Sequence, residues 1–276
     1  MHRPVMWAFT LKMVSPTYYS RLRATLSLLQ PQGVVLDAGC GMGDAMLQLS
    51  MRGARPVGVD IETMDLLRAR DMLRAFGCEY DLVRADVKLL PFRDLAFDSA
   101  LCVEVLQYVD DDRACLKELQ RVLLTGGRLV VSVPNIDFPI LYDPLNWVRA
   151  RLGASPVRVG IWFWGDQLRL YARKNLLDRM AGVGLRVLKV RFVGAWLVPL
   201  VESYFSSLLY SLTPSSEKPS YIKKGSIGPR RPHTVRGRLY SFSGFLSLVA
   251  DLDEQPGVPI GTHILVSATR TDQAHR

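Results

Sequence analysis

Residues 34–49 read VVLDAGCGMGDAMLQL, and the fold is decided here. The apolar run Val34-Val35-Leu36 ends in Asp37. Gly39, Gly41 and Gly43 follow, and a helical pattern then begins. Glycine loses the most backbone entropy on folding, so three of them in five residues are costly inside any regular element. They belong where the chain turns sharply or where a ligand comes close to the main chain. A strand, a glycine turn and a helix N-terminus, in that order, form a cradle of the kind that holds nucleotides.

The spacing narrows the ligand. A dinucleotide fingerprint ends in Gly or Ala. Counted from Gly39, that last position is Asp44, a carboxylate where a pyrophosphate would sit. Two negative groups at one helix N-terminus repel. The pattern is instead acidic-x-G-x-G-x-G, opened by Asp37. It resembles motif I of the class I S-adenosylmethionine (SAM)-dependent methyltransferases. SAM has no phosphate and carries positive charge at its sulfonium and amino groups, which suits a loop flanked by carboxylates. The alternative is a glycine-rich turn with no ligand.

Pro56-Val57-Gly58-Val59 reads as a second strand ending in Asp60, which lies 23 residues after Asp37. An acid about 20 residues on in a βαβ unit hydrogen-bonds ribose hydroxyls. A third strand, residues 80–85, leads to Asp86-Val87. The resemblance implies that the loop around Asp37, Gly39, Cys40, Gly41 and Gly43 holds the methionine part of SAM. It gives the ribose to Asp60 with Ile61 beside it. Asp86 takes the adenine amine and the Val87 N–H a ring nitrogen. Cys102, near the end of the fourth strand, joins this cofactor set by the same resemblance.

Residues 91–135 are similar to the type 11 group of these enzymes, the branch that includes ubiquinone- and menaquinone-biosynthesis methyltransferases. Phe97 to Val103 reads as a buried strand. Asp110–Asp112 cap a helix with Leu116, Leu119, Val122 and Leu123 on its apolar face. Thr125-Gly126-Gly127 is expected to end that helix, and Arg128 to Val133 to form the fifth strand. One departure stands out: many relatives have His where this chain has Tyr108. A tyrosine can line the pocket or donate a hydrogen bond, but with an unperturbed pKa of about 10 it is a poor base. No residue is identified as a general base. Tyr108, Tyr18, His233 and His263 are open candidates, and His263, set in a strand, reads as structural.

The chain has 276 residues, 49% hydrophobic and 22% charged, which suits one large α/β domain with an insertion. Cys40, Cys78, Cys102 and Cys115 form no C-x-x-C pair, so no zinc site is expected, and they read as reduced thiols of a cytoplasmic protein. Residues 1–29 read as a lid or cap segment in which Tyr18 covers the substrate, with plain packing as the alternative. Charge is uneven: residues 1–143 hold 16 Lys+Arg against 18 Asp+Glu, and residues 144–276 hold 19 against 8. Such asymmetry points to an anionic partner.

Residues 134–170 form a connector rich in Pro and aromatics, leaving the carboxyl end of the fifth strand. Ligands of doubly wound folds bind beyond that edge, so Phe138, Trp147 and Trp162 join Tyr18 and Tyr108 as candidate acceptor-binding residues. A helical subdomain packed on its own aromatics is the alternative. A helix is expected over Tyr171–Gly182, a sixth strand over Leu185–Val193 and a seventh, antiparallel one over Thr262–Ala268. Residues 194–259 are then an insertion between strands six and seven. Apolar stretches at 195–212 and 239–252 flank residues 218–238, which hold seven Lys+Arg and no acid. That arrangement resembles an interfacial anchor at the inner face of an anionic membrane; two packed helices joined by a solvated loop are the alternative.

The expected fold is therefore a doubly wound, seven-stranded, mostly parallel α/β sheet. Residues 30–193 and 260–270 form the SAM-binding domain. The function expected is methyl transfer from SAM to a small-molecule or lipid-like acceptor. A nucleic-acid methyltransferase is the rival enzyme reading, supported only by the basic insertion: the fourth strand is followed by Glu104-Val105-Leu106-Gln107, not by the Asn/Asp-Pro-Pro-aromatic run of base-amine methylators. A SAM-binding or membrane-associated interaction protein without turnover is the rival outside catalysis.

Overall fold

In a computed structural model, the structure describes residues 16–138, 148–149, 151–154, 168–194 and 261–271. The calls on Trp147, Trp162, His233, residues 1–15 and residues 195–259 of the insertion lie outside the described residues. The first described element is helix α1 (Pro16–Leu29). Alternation then begins with strand β1 (Val34–Ala38), helix α2 (Asp44–Ser50), strand β2 (Arg55–Asp60), helix α3 (Thr63–Ala75) and strand β3 (Asp81–Arg84). Strand β4 (Phe97–Val103) runs into a single 3-10 turn at Leu106–Tyr108, followed by helix α4 (Asp112–Val122) and strand β5 (Leu123–Pro134). Helix α5 (Arg173–Ala181), strand β6 (Leu185–Val193) and strand β7 (His263–Arg270) complete the domain.

The seven strands lie in the order β3-β2-β1-β4-β5-β7-β6. Strands β1 to β5 pair in parallel, and β7 runs antiparallel to both β5 and β6. The order reverses between β1 and β4, which is where doubly wound sheets open a ligand crevice beyond their strand ends. The central strands are buried on both faces, as parallel strands covered by helices must be. Side chains alternate between two cores. Val35, Leu101, Val130 and Leu265 meet Leu22, Leu26 and Leu29 of α1. Leu36, Cys102, Val131 and Val266 meet Leu116 and Leu119 of α4 and Leu176 and Met180 of α5.

Several boundaries differ from the sequence expectation. Helix α4 ends at Val122, not at the Thr125-Gly126-Gly127 stop. Leu123 is already paired with Phe97, and the chain bulges over residues 124–127 before pairing resumes at Arg128 with Ser99. The glycines serve that bulge: Gly126 has φ +77°, and a Cβ on Gly127 would stand 2.7 Å from the Leu124 carbonyl oxygen. Helix α5 starts two residues after Tyr171, because Tyr171 makes an isolated bridge to Asn135 and sends its hydroxyl to Asp112 (2.7 Å). Strand β3 is shorter than residues 80–85, and β7 runs on to Arg270.

Buried polar anchors tie the layers together. Asp112, buried at the start of α4, accepts hydrogen bonds from Tyr171 and from Arg179 (2.7 Å), and pairs with Arg169 at 3.0 Å. Arg121 fixes the β3–β4 connection to α4 through Glu118, Asp94 and the carbonyls of Leu90 and Phe92. Among the described residues no helix is long and apolar enough to cross a membrane.

Candidate functional site

Strand β1 delivers the glycine loop to the crevice. The N–H groups of Gly39 and Cys40 both donate to the Val59 carbonyl, at 2.7 and 2.9 Å, so the loop is clamped to β2. Gly39, Gly41 and Gly43 all adopt positive φ, at +79°, +51° and +82°. They differ in what surrounds them. A Cβ on Gly39 would meet Val105 at 2.2 Å, so that glycine lets the segment after β4 close over the loop. A Cβ on Gly41 would meet nothing within 4 Å among the described residues. Gly41 thus borders open space on a loop whose backbone is otherwise fixed. Gly58, inside β2, admits α2: a Cβ there would stand 2.4 Å from the Met46 sulfur.

Carboxylates surround this loop. Asp37 is buried at the end of β1 and Asp44 in the first turn of α2. Asp60 accepts from the Gly41 N–H (2.7 Å) through one oxygen and from the Glu62 N–H (2.9 Å) through the other. Burial pushes the Cys40 thiol far up, and the charges of Asp37 and Asp60 push the same way, so the field at the loop is negative. A negative field favours a cation and opposes a pyrophosphate. Tyr18 hydrogen-bonds Asp44. Burial raises its phenol well above the ordinary range and the Asp44 charge adds to that, so Tyr18 is held as a neutral phenol.

The other expected cofactor residues fall along neighbouring strand ends. Ile61 is exposed just beyond β2, with its carbonyl accepting from Arg84 (3.1 Å). Asp86 follows β3 and accepts from the Lys88 N–H at 2.9 Å, while Val87 is buried. The Cys102 side chain is fully buried on the α4 face of β4, hydrogen-bonded with Cys115. Strand alternation turns it into the core, away from the crevice. Of the acceptor candidates, Tyr108 is half exposed in the turn after β4, and Phe138 is buried beyond β5.

A second polar group at the same edge was only partly legible in the sequence. Glu104, the first residue after β4, has φ +60°, a conformation uncommon for a residue with a side chain. It accepts from Ser132 Oγ (2.8 Å) and Gln107 Nε2 (3.0 Å). His263 Nε2 lies 3.4 Å away and Arg21 Nη1 4.0 Å away. Burial pushes the Glu104 carboxyl up, but the charges of His263 and Arg21 and the hydrogen bonds from His263 and Ser132 outweigh it and hold it at about 2. Glu104 sits in a segment that sequence alone reads as a strand end, and Arg21 in what reads as a covering helix. Strand order alone joins them to β7. Among the described residues no group of three or more His, Cys, Asp and Glu stands ready to hold a metal ion.

The fold and the loop define a Rossmann-like nucleotide-cofactor domain whose donor set fits a cationic adenosyl group. Open space above Gly41, a carboxylate at each of the first strand ends and no phosphate-compatible helix start all meet what SAM needs. A family model described as a methyltransferase domain matches residues 36–131. A putative methyltransferase of Encephalitozoon cuniculi is 35% identical over 190 residues, covering 66% of this chain and 79% of that one. A demethylmenaquinone methyltransferase of Thermus thermophilus is 37% identical over 123 residues, 44% of this chain and 54% of that one. The sterol 4-C-methyltransferase strm-1 of Caenorhabditis elegans is 35% identical over 98 residues, 35% of this chain and 29% of that one. The chain belongs to the type 11 group of SAM-dependent methyltransferases, and SAM is the cofactor of that family. It spans about half or less of the length of the quinone and sterol relatives.

Proposed function

We propose that this protein transfers a methyl group from SAM to a small, apolar acceptor of the quinol or sterol class. The observation that carries the reading is the loop itself: Gly41 borders open space, with Asp60 holding its N–H and Asp37 and Asp44 beside it. SAM brings an already activated methyl group, so the protein must mainly hold the acceptor in line with it. Asp60 and Ile61 would hold the ribose, Asp86 and Val87 the adenine, and the glycine loop the methionine part. Asp60 already spends an oxygen on the Gly41 N–H, so the ribose hydroxyls share a carboxylate that also shapes the loop. Of the described residues, Tyr108, Phe138 and Tyr18 would border the acceptor.

The acceptor class rests on similarity to a quinone and a sterol methyltransferase and on the chain's own basic insertion. Neutral, apolar acceptors reside in membranes. The seven Lys+Arg of residues 218–238, flanked by apolar stretches, would hold the protein at an anionic surface from the cytoplasmic side. Each basic residue near such a surface contributes about 1 kcal/mol, and less as salt rises.

The test is transfer of tritiated methyl from SAM to three pools: a lipid extract, total nucleic acid and a polar metabolite extract. Label in the lipid fraction is the expected result; label in nucleic acid instead would replace the reading by the rival one. In parallel, neutralising Lys223, Lys224, Arg230 and Arg231 should release the protein from phosphatidylglycerol vesicles and leave its affinity for S-adenosylhomocysteine unchanged. Wild-type protein that stays in the supernatant at low salt would remove the membrane part.

A further inference from the structure

We propose that His263 is a catalytic base that takes the proton of an acceptor hydroxyl, with Glu104 and Arg21 as its positioning residues, so that the methyl group is delivered to oxygen. This deepens the methyl-transfer reading and rests on it. Position comes first. His263 opens β7 and pairs with Pro134 at the end of β5 and with Val193 at the end of β6, so it lies at the carboxyl edge of the sheet. Glu104 leaves β4 at that same edge, and its neighbour Val105 packs on Gly39 of the cofactor loop. The imidazole is therefore linked to the loop through one carboxylate and one valine.

The hydrogen bonds assign the proton on the ring. Thr262 Oγ1 donates its single hydrogen to the Val193 carbonyl oxygen (3.1 Å). It can meet His263 Nδ1 (2.9 Å) only as an acceptor, so Nδ1 carries hydrogen. The other nitrogen, Nε2, faces the guanidinium of Arg21 at 3.3 Å and the carboxylate of Glu104 at 3.4 Å. In the neutral ring Nε2 accepts from Arg21; once protonated it donates to Glu104. The site has a partner ready for each state, which a purely structural histidine does not need.

The charges select the acceptor. Among the described residues, Arg21 from α1 and Glu104 from the end of β4 bring charge to the ring; Ser132 of β5 and Thr262 are neutral. Arg21 favours a bare Nε2 and stabilises an oxyanion forming beside it, and it repels an ammonium acceptor. Arg21 is itself braced, lying 5.6 Å over the Tyr18 ring, whose hydroxyl reaches Asp44 of α2. The step balances. The O–H proton passes to Nε2, and the oxygen lone pair forms the O–CH3 bond as the C–S bond of SAM breaks with its electron pair going to sulfur. The imidazolium, held by Glu104, then returns the proton to water.

Four readouts test the proposal. In the unliganded protein, nitrogen-15 NMR of the neutral imidazole should show the hydrogen on Nδ1 and a bare Nε2; an Nε2–H tautomer overturns the proposal whether or not transfer is seen. With tritiated SAM and the lipid extract, hot hydriodic acid should release the label as methyl iodide, as it does from an ether; label retained as C-methyl overturns it. His263→Asn should lose transfer about 100-fold or more, the usual scale of general-base catalysis, with S-adenosylhomocysteine affinity within twofold. In Glu104→Gln the acid limb of the kcat/KM profile should move to lower pH, because the imidazolium has lost its carboxylate. An unmoved limb restricts Glu104 to a structural role and overturns its part. A wild type that labels nothing counts against methyl transfer itself, not against the tautomer result.

Discussion

Gly41→Ala separates the cofactor cradle from the stability of the loop that forms it. Gly41 has φ +51°, and a Cβ there meets no atom of the described residues within 4 Å. Among the described residues the cost is the left-handed backbone, about 1–2 kcal/mol for a residue with a Cβ. For a domain of this size that lowers Tm by about 2–8 °C. The Asp60 contact to the Gly41 N–H can persist, because it uses the backbone. A methyl group in space reserved for a ligand costs about 1–3 kcal/mol in overpacking, or about 5- to 150-fold in affinity. The assay is calorimetric titration with S-adenosylhomocysteine, beside a melting curve for each protein. Gly39→Ala is the contrast. Its Cβ would stand 2.2 Å from Val105 Cγ2, so it should lower the melting point more than Gly41→Ala does. A folded Gly41→Ala protein that binds the ligand within twofold of wild type would refute the assignment of the open space.

Other substitutions test neighbouring parts. Asp60→Ala removes an acceptor for two loop N–H groups and for the ribose, so SAM affinity should fall by about 10- to 150-fold at a loss of 1.5–3 kcal/mol, read by calorimetry. Asp112→Ala removes the carboxylate that pairs with Arg169 and Arg179 and accepts from Tyr171; because both arginines keep some exposure, about 3 kcal/mol of unfolding free energy is expected to go, with Tyr171→Phe costing about 1 kcal/mol, both by urea denaturation. Glu104 is held at about 2 in the folded protein, below its ordinary 4.5, so its stabilisation is complete above pH 4.5 and is lost as pH falls toward 2. Acid unfolding followed by circular dichroism should accordingly be less steep over that range in Glu104→Gln.

The sheet was legible because its strands punctuate themselves. Val34–Ala38 ends in the glycine loop, Asp60 closes β2, and Leu185–Val193 emerges with the boundaries its alternation predicts. The bulge at residues 124–127 was not legible, since a Thr-Gly-Gly run reads equally as a helix stop and as a strand irregularity. The cofactor loop was legible because glycine spacing reports a backbone demand. The side-chain setting of Cys102 was not legible, because its place near a strand end says nothing of which face it occupies, and alternation sends it to Cys115. The cluster of Arg21, Glu104 and His263 was hidden for a different reason. Its members lie up to 242 positions apart and meet only because β7 inserts antiparallel between β5 and β6. No local pattern carries that information.

The central claim is that the glycine loop holds SAM, and thermal stability with ligand tests it most directly. A ligand at one hundred times its Kd stabilises the native state by about 2.7 kcal/mol, which raises Tm by about 5–10 °C in a domain of this size. SAM and S-adenosylhomocysteine should each produce that rise, while NAD and NADP, whose pyrophosphates would face Asp44, leave the melting curve where it was. A shift with NAD or NADP equal to or larger than the shift with SAM would contradict the account.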